Sequence, residues 1–229
     1  MFEDRSDAGK RLARRLERLR SENVVVLALP RGGVPVAFEV ATALRAPLDL
    51  LLVRKIGAPQ NPELAIGAIV DGDEPQIVCN EDILSAVGAS EAQVQLQAKR
   101  ELAEIERRRA LYLRGRAPVA VSGKTAIVVD DGIATGATMR AALQGLRLRA
   151  PARVVLAVPV ASPEALALVQ READEVVCLW SPPHLGAVGA AYRSFRQVGD
   201  DEVIALLERA QRLLSDSRRA EAESDGPAA

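Results

Sequence analysis

Apolar residues fall along this chain in two rhythms. Short unbroken runs, VVVLALP (24–30), DLLLV (49–53), TAIVV (125–129), RVVLAVPV (153–160) and EVVCLW (175–180), have strand length and little polar alternation, the pattern of strands covered on both faces. Between them apolar residues recur three or four positions apart, as in Ala8, Leu12, Leu16 and Leu19 of 7–20, or Met139, Ala142, Leu143 and Leu146 of 138–149. That spacing predicts helices there, with others at 36–44, 163–172 and 200–214. LAIGAIVDG (64–72) and QIVCN (76–80) read as two further strands that a hairpin could join, followed by a short helix at 81–87. Strands alternating with helices predict an α/β fold with a doubly wound, mainly parallel sheet.

Residues 90–113 break the alternation. Ser90 is a good N-cap, helix formers dominate, and Val94, Ala98, Leu102, Ile105 and Leu111 form one apolar stripe opposite a charged face. A long inserted helix on the surface is predicted, serving either as a subunit contact or as a solvated face. A single domain over 1–214 follows, its core at about 20–180, with a small C-terminal elaboration near 181–205. The polar run SDSRRAEAESDGPAA (215–229) reads as a disordered tail.

Composition then narrows the function. Lys plus Arg is 30, Asp plus Glu is 31, and the net charge is -1. Nothing pulls the whole surface toward nucleic acid or an anionic membrane, so any anion site is local. The start, MFEDRSDAGK, lacks the basic-then-apolar run of a secretory signal, and no apolar stretch nears the ~18 residues of a membrane span. Cys79 and Cys178 read as packed, reduced thiols, pointing to a cytoplasmic setting.

In an open parallel sheet, ligands bind beyond the carboxyl ends of the strands. Four loops sit there. DDGIATGAT (130–138) joins two carboxylates to a turn of small residues that opens a helix. Gly132 and Gly136 permit close approach, the backbone N–H groups of Ala134, Thr135, Gly136, Ala137 and Thr138 are exposed with the helix dipole behind them, and two hydroxyls add donors, all suiting a phosphate. Asp130 and Asp131 would repel that phosphate if it lay beside them. They fit if a sugar lies back over the strand end, its hydroxyls donating to the carboxylates, and they could also hold Mg²⁺ through water. The loop therefore reads as a seat for a ribose 5-phosphate. It is neither a Walker loop nor GxGxxG. LPRGGVP (29–35) offers Arg31 and the amides of Gly32 and Gly33 to a diphosphate. RKIGAPQNPE (54–63) reads as a loop with Arg54 and Lys55 at its start. In the fourth loop, after 175–180, Tyr192 and Phe195 could stack on a planar ring or simply pack in the core.

IVVDDGIATGAT (127–138) resembles the 5-phosphoribosyl diphosphate (PRPP) motif of the type I phosphoribosyltransferases, and the other loops extend the resemblance over most of 20–205. It implies the type I phosphoribosyltransferase fold and a cytoplasmic, Mg²⁺-dependent transferase of nucleotide metabolism. Such an enzyme moves the 5-phosphoribosyl group from PRPP to a nitrogenous base, or a related nitrogen nucleophile, with release of diphosphate. PRPP would lie on Arg31, Gly32, Gly33, Asp130, Asp131 and 134–138. Arg31, Lys55 and Asp131 would be the catalytic candidates, with Lys55 on a flexible loop closing over the diphosphate. Residues 181–205 would form the hood over the base, with Tyr192 and Phe195 as its stacking candidates. The resemblance further implies a homodimer with no nucleic-acid or membrane partner, and a cis peptide between Pro30 and Arg31. Ala134 stands where the hypoxanthine/guanine branch carries an Asp base, and that branch places near Ala137 a Lys that reads the 6-oxo group. Both departures argue against a 6-oxopurine acceptor. A PRPP- or nucleotide-sensing regulator without turnover, or an enzyme hydrolysing or phosphorolysing a nucleotide, are the other readings.

Overall fold

A computed structural model describes residues 1–58, 61–72, 75–79, 81–88 and 90–224. Its centre is a five-stranded, wholly parallel sheet in the order β2-β1-β6-β7-β8, built from β1 (Val24–Ala28), β2 (Leu48–Leu50), β6 (Thr125–Val129), β7 (Arg153–Val160) and β8 (Glu175–Trp180). The unbroken apolar runs are explained by burial on two sides. Along β1 and β6, Val24, Val26, Ala28, Ile127 and Val129 enter one core cluster, and Val25, Leu27, Ala126 and Val128 enter the other. Helices α1 (Arg5–Leu16), α2 (Gly33–Leu44) and α7 (Asp200–Ser224) cover the first face, placing Leu12, Phe38 and Leu207 there. Helices α5 (Ala137–Arg147) and α6 (Pro163–Val169) cover the second with Leu143, Leu146 and Ala165. The doubly wound α/β expectation therefore holds.

Three expectations need revision. RKIGAPQNPE, expected as a loop, is largely strand. Strands β3 (Val53–Ala58), β4 (Asn61–Val70) and β5 (Gln76–Cys79) form a separate antiparallel sheet, with residues 59 and 60 outside the described residues. Prolines, Gly57 and Asn61 carry the loop signal. Gly57 sits at an irregularity in the β3–β4 pairing, and Ile56 and Ile66 are buried with Val94 and Ala98 in a small core of their own, which fixes the strands.

The short helix expected at 81–87 is α3 (Glu81–Val87), and the long helix α4 (Glu91–Leu113) begins with a capping box between Ser90 and Gln93, as its sequence predicts. Its apolar stripe is spent inside the chain. Val94 and Ala98 pack on the hairpin, while Ile105, Tyr112 and Leu113 join the main core. A subunit contact would therefore have to use another surface. The tail expected to be disordered from 215 continues α7 as far as Ser224, and 225–229 lie outside the described residues. Its Arg, Ala and Glu are helix formers, and their lack of apolar residues carries no information about local propensity.

Candidate active site

Strand β6 delivers Asp130 and Asp131 to the carboxyl edge of the sheet. Asp130 Oδ1 accepts the Asp131 N–H at 2.8 Å, which folds the pair into a tight turn. Ile133 N–H then bonds Val160 O at 2.9 Å, Ser162 N–H bonds Ile133 O at 3.0 Å, and Ser162 Oγ donates to Ala134 O at 2.8 Å. These bonds strap the loop to β7. Gly136 opens α5 at φ +82°, a left-handed geometry that glycine adopts without cost, and no side chain caps the helix. Ala134, Thr135, Ala137 and Thr138 are exposed around it. A helix N-terminus with uncapped amides, ringed by small residues and two hydroxyls, is chemically a phosphate seat.

Burial pushes Asp130 well above the usual carboxylate range, and the neighbouring Asp131 charge adds to the rise. Burial also raises Asp131, opposed by the Arg5 guanidinium. The two carboxylates are costly to keep charged and close in the absence of hydrogen-bond donors or cations.

The PRGG loop lies directly against them. The Pro30–Arg31 peptide is cis, as the resemblance implied. A Cβ on Gly32 would overlap the Asp131 carboxylate, and one on Gly33 would stand 2.7 Å from Val129 O. Both glycines are therefore spatial requirements of the junction. Arg31, on the same loop, reaches Asp200 at the start of α7 (Nη1–Oδ1 3.5 Å). Asp200 Oδ1 also accepts Tyr112 Oη–H from α4 at 2.7 Å, a bond that holds the carboxylate below its ordinary range.

The hood residues behave differently from expectation. Tyr192 is only 5% exposed. Its ring centroid lies 5.4 Å from that of Phe2 and 5.1 Å from that of Phe195, and its hydroxyl donates to Asp131 O at 2.5 Å. It is thus a buttress beneath the acid loop, and its ring is not open for stacking on a base. The reason is Phe2: backbone bonds from Phe2 N–H to Ala191 O and from Arg193 N–H to Phe2 O, both 2.8 Å, zip the start of the chain onto this segment. Phe195 is 38% exposed, yet the Arg5 guanidinium sits 3.8 Å from its centroid. Trp180, at the end of β8, is the more open aromatic.

Lys55 lies in a strand rather than a loop. With Arg54, Gln97, Arg100 and Thr138 it lines a cleft of about 850 Å³ between the hairpin and α4. Arg54 is tied to Glu101 at 2.9 Å. The structure therefore brings Gly32, Gly33, Asp130 and Asp131 to one junction, with Arg31 on the same loop and its side chain turned to Asp200. Thr138 connects the 134–138 seat to the cleft that holds Lys55. His184, the single histidine, is exposed.

Sequence reasoning missed Arg5. Its side chain is 10% exposed, Nε donates to Asp131 Oδ2 at 2.8 Å, and Nη1 donates to Arg196 O at 2.7 Å. In the sequence it is one charge among several on an amphipathic helix, and nothing there marks it as the one turned inward.

Comparison with known proteins identifies the family. The family described as "Phosphoribosyl transferase domain" matches residues 3–184. Two Mycobacterium tuberculosis proteins, from strains CDC 1551 and H37Rv, bear the name phosphoribosyl transferase as a provisional assignment. Each is 48% identical over 227 residues, covering 99% of this chain and 51% of its relative. The chain thus spans about half the length of the curated relatives it matches. The crystal structure of TT1426 from Thermus thermophilus superposes with a TM-score of 0.82 at 45% identity, over 91% of this chain and 98% of that one.

Proposed function

We propose that this chain, which belongs to the phosphoribosyl transferase domain family, transfers the 5-phosphoribosyl group of PRPP to a nitrogen nucleophile and releases diphosphate. The observation that supports this best is the junction of the PRGG and acidic loops, where Gly32 leaves no room for a Cβ beside Asp131. A ligand carrying a diphosphate, a ribose and a 5-phosphate in fixed sequence could use that junction and the 134–138 seat at once. The 5-phosphate takes the amides and hydroxyls of 134–138, Asp130 and Asp131 accept from the ribose hydroxyls, and Gly32, Gly33 and Arg31 receive the diphosphate.

The nucleophile's nitrogen lone pair forms the new bond to C1 as the C1–O bond to diphosphate breaks with its electron pair leaving on the diphosphate oxygen, and the nitrogen then loses its proton to solvent water. The transition state has oxocarbenium character. It needs no covalent intermediate and depends on neutralising the leaving group, which falls to Arg31 and to Lys55 from the cleft wall. Arg31 must exchange Asp200 for the diphosphate to do so.

Among the described residues no group of three or more His, Cys, Asp or Glu side chains could hold a metal. A pair of carboxylates fits Mg²⁺ that keeps its waters and takes its remaining oxygens from substrate phosphates. Asp130 and Asp131 would hold it through water, and it would supply further charge neutralisation on the diphosphate.

Ala134 and Ala137 keep a 6-oxopurine off the list of first acceptors to test. The two free cysteines suit a reducing cytoplasm. Among the described residues no helix is long and apolar enough to cross a membrane, and no nucleic-acid partner is proposed. A homodimer remains part of the reading, through a surface other than the buried stripe of α4.

Calorimetric titration of Mg²⁺·PRPP into the protein and into an Asp130→Asn, Asp131→Asn double variant tests the reading, followed by diphosphate release with a panel of amine and nucleobase acceptors. Saturable binding that the variant loses is expected. A folded protein that binds no PRPP would sink it. Tight binding with no diphosphate release from any acceptor would instead favour a PRPP sensor.

A further inference from the structure

We propose that Arg5 is a positioning residue for the ribose seat: it holds Asp131 so that the acid pair offers one oxygen from each carboxylate to the sugar. This rests on the transferase reading above.

Each acid has one oxygen committed to the protein. Asp130 Oδ1 accepts the Asp131 N–H, and Asp131 Oδ2 accepts Arg5 Nε–H. Among the described residues this leaves Asp130 Oδ2 and Asp131 Oδ1 as acceptors, a pair suited to two neighbouring hydroxyl donors. Asp131 is held from three directions. Arg5 takes its carboxylate, Gly32 packs against that carboxylate, and Tyr192 Oη–H takes its carbonyl.

Arg5 is itself held as only a planar guanidinium can be. Nε reaches Asp131, Nη1 reaches Arg196 O, and its face lies on Phe195. The two hydrogen-bonded partners lie 126 and 191 residues away in sequence. One side chain therefore fixes the acid pair relative to the hood segment, and it comes from an N-terminal helix outside the sheet. It does not touch the reacting atoms in this reading.

The test compares Arg5→Met and Arg5→Lys with the wild type in binding Mg²⁺·PRPP and Mg²⁺·diphosphate, which lacks the sugar. Removing a charge-assisted hydrogen bond should weaken PRPP roughly 10- to 100-fold in Arg5→Met. Diphosphate affinity should fall much less than PRPP affinity, because diphosphate has no sugar hydroxyls to place on the acid pair and meets Asp131 only indirectly, across Gly32. Arg5→Lys restores the charge without the fork and should recover part of the loss. Equal losses for both ligands, or none for either, would overturn the proposal. So would tighter PRPP binding by Arg5→Met, which would make Arg5 a competitor of the sugar. If Arg5→Met does not fold, Arg5→Lys decides alone, since wild-type PRPP affinity in it contradicts the proposal. Failure of the wild type to bind PRPP marks failure of the transferase reading, which is seen before any variant is measured.

Discussion

The carboxyl edge of the parallel sheet and the hairpin layer over it are built by opposite rules. At the sheet edge the chain removes side chains. Gly33 and Gly136 let backbone approach backbone, Gly32 leaves its space to the Asp131 carboxylate, and Ala134 and Ala137 keep the exposed loop small. In the cleft under the hairpin the chain extends them: Arg54, Lys55, Gln97, Arg100 and Glu101 project from β3 and α4 across about 850 Å³. The first region is a rigid mould whose geometry the fold sets in advance. The second is a surface of long, charged side chains, with Arg54 and Gln97 both bonded to Glu101. The division suits a reaction in which the ribose and phosphates need fixed seats while the departing diphosphate needs counter-charge.

Variants can break this contrast in graded steps. The largest effect is expected in the mould. Gly32→Ala should reduce PRPP-dependent diphosphate release by at least about 100-fold, because the new methyl displaces Asp131, with an overpacking cost of about 1–3 kcal/mol in urea unfolding. Near-normal turnover would mean the junction is soft. In the charged layer, Lys55→Ala should lower turnover by roughly 10-fold or more while changing PRPP affinity only a few-fold, since Lys55 is assigned to the leaving group in the transition state. A matching loss in affinity would return it to ground-state binding.

The third expectation concerns stability. Burial raises Asp130 above its unfolded value of 3.8, so the native state binds a proton that the unfolded chain has released. Stability of the ligand-free protein should therefore fall as pH rises from about 3.8 through the elevated native value, and the penalty should persist at higher pH. Asp130→Asn should flatten that slope and raise Tm near neutral pH while weakening PRPP binding, to be followed by thermal melts across pH. The smallest effect is expected at Asp200. Asp200→Asn weakens the tie on Arg31, and PRPP affinity should rise by about two- to threefold, with about 1 kcal/mol of stability lost from the Tyr112 bond.

How far the sequence can be read follows the same division. The mould is legible because its information is local: TAIVV fixes a strand, the two acids and the small residues follow it in order, and PRGG follows another strand. The cis peptide at Pro30–Arg31 comes from resemblance alone, since no residue type announces it. The hairpin is misread because Gly57, Asn61 and the prolines signal a turn, while the force that makes strands of its flanks is burial of Ile56 and Ile66 against Val94 and Ala98, on a helix some 30 residues later. Tyr192 and Arg5 escape for one shared reason. A tyrosine in a glycine-rich segment and an arginine on an amphipathic helix look exposed until the two chain regions meet, and Phe2 is what zips them together.

That meeting has a practical consequence for anyone handling the protein. Phe2 is 4% exposed and lies three residues before Arg5 in the chain, whereas Met1 is 68% exposed. A purification tag grafted ahead of Met1 joins the chain one residue from the zipper that seats Arg5, while one placed after α7 joins it far along the sequence. The choice of tagged end is therefore a variable to hold constant when sugar affinity is compared between preparations.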